Sequence, residues 1–150
     1  MRDRIALALK EAAASDDATR QCTLRLICAA IQDREAVRAR GDQGGALDDA
    51  EVIEILAKML RQREDSVRRY EESGRLELAE EERREAEVIR EFMPRPLSDD
   101  ELHKAVANAI AETKAKSLRD LGTVMGALKS RYSGRMDVCK AGAEVRNALN

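Results

Sequence analysis

Apolar residues recur at steps of three and four along most of the chain, the spacing of helices that bury one face. Ile5, Leu9 and Ala12 or Ala13 share a face over residues 2–14. Leu24, Ile27, Cys28, Ile31 and Glu35 follow a stripe over 18–39, which Leu26, Ala29 and Ala30 widen. Val52, Ile55, Leu56, Met59, Leu60, Val67 and Tyr70 predict a longer helix over 49–73, about 38 Å at the helical rise. Its wet side offers Glu54/Lys58, Arg61/Asp65, Glu64/Arg68 and Asp65/Arg69, each pair four apart. Ala79, Ala86, Ile89, Phe92 and Met93 mark a fourth helix over 76–93. Three shorter stripes follow. Leu102, Val106, Ile110 and Thr113 make the first, Leu118, Leu121, Met125, Leu128 and Tyr132 the second, and Val138, Ala141, Val145 and Leu149 the last.

The breaks between these stripes carry recognisable stop and start chemistry. Ser15-Asp16-Asp17 offers caps, and the run from Gly41 to Gly45 reads as a loop. Asp48 with Glu51 and Ser98 with Glu101 have capping-box spacing, and Ser117 with Asp120 repeats it. Gly74 reads as a C-cap, so the third and fourth helices should form a long antiparallel hairpin. Pro94-Arg95-Pro96 forbids helix and favours an extended connector. The expected fold class is all-α. Long N-terminal helical hairpins (1–93) are joined by a proline-containing linker (94–98) to a small C-terminal helical domain (99–150).

Composition agrees with helices and narrows the chemistry. The chain has 150 residues, of which 37% are charged and 2% aromatic, so its core must be built from aliphatic side chains. Net charge is −2 but unevenly spread. Residues 1–96 hold 18 Lys and Arg against 22 Asp and Glu, whereas residues 97–150 hold 9 against 7. A polyanion would prefer the C-terminal end. Three cysteines, Cys22, Cys28 and Cys139, lack metal-ligand spacing, and a single histidine makes a zinc site improbable. Cys22 and Cys28 are six apart and should face different directions. Free thiols behind a charged N-terminal helix suggest a reducing cytoplasm. No apolar run approaches a membrane span.

The stretch from Arg119 to Asp137 is the most informative. Gly122 and Gly126 interrupt an apolar helix four residues apart, and each glycine costs about 1 kcal/mol against alanine in a helix interior. Two such glycines imply a close approach of backbone by something. Arg119, Lys129, Arg131, Arg135 and Lys140 gather around a turn at Ser133-Gly134, with Arg146 further on. Arginine matches phosphate with a bidentate fork, and the helix starts near Ser117 and Asp137 supply backbone donors. Such a surface suits structured RNA read by shape, because Tyr132 is the one aromatic available for stacking. Ser130 and Ser133 suit phosphate contact or backbone capping better than attack on a carbonyl. No dinucleotide, P-loop, zincin or nucleophile-elbow motif occurs. His103 has no catalytic partner placed by the sequence and reads as a surface residue. The acidic run from Glu80 to Glu85 could dock a partner but fits a solvated face better.

These residues resemble the signature of the GatB/YqeY domain family, in which a Gly-x-Val-Met-Gly helix leads to a basic turn and Gly-Arg-x-Asp. Here the matching positions are Gly122, Val124, Met125, Gly126, Gly134, Arg135 and Asp137. Upstream, Thr23-Leu24-Arg25-Leu26, Gln62-Arg63 with Asp65-Ser66, and Gly74-Arg75 resemble the helical half of stand-alone YqeY proteins. Val138-Cys139 after Asp137 departs from the family's Asp-Gly-Lys, which bears on packing of the last helix. The resemblance implies a tRNA-interacting accessory protein related to the tail of the GatB subunit of the tRNA amidotransferase. It also carries the family label of carbon–nitrogen ligase with glutamine as amide donor, although that chemistry belongs to another domain of the larger relative. No cofactor is implied. The RNA-binding candidates are Arg119, Lys129, Arg131, Arg135 and Lys140. A protein partner of the translation apparatus, met by the N-terminal hairpin, is the alternative.

Overall fold

A computed structural model describes residues 1–42, 44–132 and 134–150. Among the described residues all regular structure is helical, as the periodicity predicts. The chain divides into two compact units, Met1–Met93 and Pro94–Asn150.

The first unit contains α1 (Arg2–Ala13), α2 (Ala18–Arg40), α3 (Asp49–Glu72) and α4 (Leu76–Arg90). Asp17 caps α2 by accepting from the Arg20 amide at 2.9 Å. Asp48 and Glu51 form the expected capping box at the start of α3. The α3–α4 turn is a Schellman motif. Gly74 takes φ +75°, the Arg75 amide donates to the Tyr70 carbonyl at 2.8 Å, and the Gly74 amide donates to Glu71 at 3.1 Å. The core is aliphatic, with Leu24, Ile27, Val52, Leu56 and Ile89 fully buried and Phe92 closing one end.

Three details differ from expectation. Glu64 bonds Arg90 of α4 at 3.0 Å in place of Arg68, because the facing helix brings a cation within reach. The same pairing recurs along the hairpin, where Arg63 meets Glu85 at 3.0 Å and Glu82 at 3.5 Å. Arg68 pairs with Asp65 three residues before it, in place of the expected Arg61/Asp65 and Asp65/Arg69. Helix α4 ends at Arg90, three residues early, since Phe92 turns into the core and Pro94 disfavours helix at Met93. Leu26 and Ala29 do not widen the buried stripe of α2 but stand exposed on its far side.

The second unit packs α5 (Asp99–Thr113), α6 (Leu121–Tyr132) and α7 (Val138–Leu149) around Leu102, Val106, Val124, Leu128, Ala141 and Val145. Ser98 and Glu101 cap α5 reciprocally at 3.2 and 2.8 Å. Ser117 and Asp120 open a 3-10 turn, Leu118–Asp120, ahead of α6. That turn takes Leu118 out of the helical register, so it is 49% exposed and not part of the stripe. Gly134 follows α6 with φ +74°, and Asp137 caps α7 through the Cys139 and Lys140 amides. Ser133 and Gln43 lie outside the described residues.

The contrast within α2 and α3 is directly testable. Leu56→Ala should cost about 2–5 kcal/mol by denaturant unfolding, as large-to-small core changes do. Leu26→Ala should stay within about 0.5 kcal/mol of the parent, as exposed substitutions do. Equal costs at the two positions would contradict the burial assigned to them.

Candidate functional site

The five candidate cations of the C-terminal unit separate into two groups. Arg131, Arg135 and Lys140 are engaged within the unit. Arg131 reaches across from α6 to Glu112 of α5 with both terminal nitrogens, one at 3.0 Å. That fork holds the Glu112 carboxyl below its ordinary range and raises the Arg131 guanidinium. Lys140 Nζ meets Asp99 Oδ1 at 3.1 Å. Arg135 Nε donates to the Arg95 carbonyl at 3.0 Å, while the Arg135 carbonyl accepts from the Leu97 amide at 2.7 Å. The Gly-Arg-x-Asp turn therefore straps residues 95–97 to the start of α7.

Arg119 and Lys129 form the second group. Both are exposed, and neither side chain makes a hydrogen bond or ion pair among the described residues. Gly122, Gly126 and Lys129 follow at steps of four and three, so they share one face of α6, and Arg119 lies in the turn that leads into it. That face is opposite the buried one, where Val124 and Leu128 are covered and Leu121, Met125 and Tyr132 half-covered. A Cβ built on Gly122 or Gly126 would find no atom within 4 Å. Neither glycine has positive φ, so neither is required by backbone geometry. The close approach inferred from the glycines is thus not made by any described part of this chain.

Other chemistry is sparse. His103 is exposed, 3.6 Å from Glu144. Cys22 and Cys139 are exposed, whereas Cys28 is half-buried and its thiol is pushed up by desolvation. It lines a cleft of about 570 Å³ with Met1, Ile5, Ile31 and Asp49. A thiol so raised is a weaker nucleophile at neutral pH. Among the described residues no group of three His, Cys, Asp or Glu side chains is placed to hold a metal. The partners Glu112, Asp99 and the Arg95 carbonyl have no signal in the sequence, being 19, 41 and 40 residues from the cations they meet.

A two-unit helical chain with a glycine-faced helix leading to a Gly-Arg-x-Asp strap defines the class. It matches the family described as Yqey-like protein over residues 2–149, and the chain belongs to that family. It is similar to two proteins named Altered inheritance of mitochondria protein 41, mitochondrial. The one from Clavispora lusitaniae is 32% identical over 122 residues, covering 80% of this chain and 66% of the relative. The one from Lachancea thermotolerans is 30% identical over 108 residues, covering 71% and 56%. The match spans less than two thirds of either relative. Both names correct the expected cytoplasmic location. Free thiols report a reducing setting and do not separate one such compartment from another. No helix among the described residues is long and apolar enough to cross a membrane.

Two outcomes follow from this geometry. Gly122→Ala and Gly126→Ala should each raise stability by about 0.4–1 kcal/mol, because alanine fits and lowers unfolded-state entropy; a loss in denaturant unfolding would show that the glycines are structurally needed. The second concerns Glu101, whose carboxyl is lowered to about 2 by the Arg95 guanidinium and the Ser98 amide. A folded value below the unfolded one favours the fold above pH ~4.5, and that contribution is lost as pH falls toward ~2. Glu101→Gln keeps a side-chain oxygen for the cap but removes the titration. Melting curves across that window should therefore fall more steeply for the parent than for the variant, and parallel curves would contradict the assignment.

Proposed function

We propose that this chain is a tRNA-binding accessory protein that does no bond-making of its own and meets its ligand on the outward face of α6. The observation that carries this reading is the open glycine face. Gly126 lies inside α6, where a glycine costs about 1 kcal/mol, Gly122 lies in its first turn, and no packing or backbone strain within the described chain requires either. A bare helix surface lets a sugar–phosphate backbone come close, and Arg119 and Lys129 flank it with charge that no carboxylate here neutralises. Structured RNA is recognised through shape and backbone contacts of this kind. The family resemblance to the tail of a tRNA amidotransferase subunit supports tRNA as the RNA concerned. The mitochondrial names of the relatives support a mitochondrial setting.

The reading divides the candidate cations. Arg119 and Lys129 contact phosphate with Gly122 and Gly126 beneath it, whereas Arg131, Arg135 and Lys140 shape the unit through Glu112, Arg95 and Asp99. Val124, Met125, Gly134 and Asp137 support that shape.

Gel shifts with bulk tRNA test the division. Arg119→Ala and Lys129→Ala should each weaken binding and lower the salt slope by about 1, the effect of losing a phosphate contact. Gly126→Ala should weaken binding while leaving the fold intact by circular dichroism. Equal affinity for the parent and the Arg119→Ala/Lys129→Ala double variant would remove this surface from consideration.

A further inference from the structure

Helix α2 is apolar on two sides, and only one is covered. Thr23, Leu24, Ile27 and Ile31 face the core of the first unit. Opposite them, Cys22, Leu26, Ala29, Asp33, Ala36 and Val37 fall within a single outward face, with half-buried Ala30 at its edge. Leu26 is 42% exposed and Val37 65%. The stripe from Cys22 to Val37 runs for about 22 Å and contains one charge, Asp33, in a chain where 37% of residues are charged. A surface helix ordinarily keeps its polar residues on that side.

The charges in and around the stripe are complementary to those of the same helix run backwards. The N-terminal end carries Asp16 and Asp17, and the C-terminal end Arg40, with Asp42 beyond the helix; the pair nearest the centre, Arg25 and Asp33, carries the complementarity. Arg25 and Asp33 lie at matched distances on either side of Ala29. Neither the Arg25 nor the Asp33 side chain makes an ion pair or hydrogen bond among the described residues. Two copies of α2 laid antiparallel about Ala29 would set each Asp33 beside the other copy's Arg25. Leu26 and Val37 would leave water, and the alanines at the centre would let the backbones come close. The helix dipoles would also oppose favourably.

We propose that this chain self-associates through the outward face of α2, as an antiparallel two-fold pair centred on Ala29. A two-fold contact uses one patch on both partners, so each favourable pair occurs twice. This surface belongs to the N-terminal unit and does not depend on the RNA reading of α6.

Sedimentation equilibrium of the full chain tests it, with circular dichroism as the check that each variant stays helical. The parent should show a reversible monomer–dimer equilibrium in the micromolar range. Leu26→Glu and Val37→Glu should each raise the dissociation constant about tenfold or more, since each places a charge in a closing apolar seam. Both residues are exposed in the single chain, so neither change should unfold it. Arg25→Asp and Asp33→Arg should each weaken the dimer, and the double swap should restore it. A parent that remains monomeric, a dimer indifferent to Leu26→Glu and Val37→Glu, or a double swap no better than its singles would each overturn the proposal.

Discussion

Burial of Val124 and Leu128 against α5 and α7 sets the azimuth of α6, and the reading of the C-terminal unit depends on that rotation. With those two side chains inside, residues at steps of four and three on the far side must point outward. Gly122, Gly126 and Lys129 occupy that side. A rotation of one residue, about 100°, would bury a glycine and expose a core side chain. Half-buried Leu121, Met125 and Tyr132 widen the inner face and hold the helix at that angle.

The same unit sorts its cations by geometry. A helix packed beside α6 supplies Glu112 to Arg131, and the segment entering α5 supplies the Arg95 carbonyl to Arg135 and Asp99 to Lys140. These contacts are exposed, and exposed contacts of this kind contribute little to stability. Their importance lies in direction, since they turn three cations toward their own chain. Arg119 and Lys129 keep their charge for solvent or a ligand. A net basic balance is therefore a poor guide to a binding surface without the partners that neutralise it.

The helices were legible because aliphatic stripes, capping boxes and glycine stops agree locally, as at Asp48 with Glu51 and at Gly74. Illegible features were those set by tertiary neighbours. The Arg131–Glu112 fork requires α5 beside α6, which no spacing of 19 residues announces. Glu64 could pair along its helix with Arg68 or across the hairpin with Arg90, and only the packed hairpin decides. Leu26 beside Leu24 and Ile27 looked like core because α2 is apolar on both sides, so periodicity could not say which side the rest of the unit covers. Leu118 lies in a 3-10 turn, which spacing at threes and fours does not distinguish from the first turn of α6. The glycine pair is visible as an expense to the helix, but that no described residue fills the space above it is set by tertiary packing, which spacing does not reveal.

Amide chemical-shift mapping during titration with tRNA tests the central claim most directly. The account expects shifts and broadening concentrated at Arg119, Gly122, Gly126 and Lys129, diminishing with added salt. Perturbation confined to the strap at residues 95–99 and Arg135, or confined to the N-terminal unit, would contradict it, as would a spectrum that tRNA leaves unchanged.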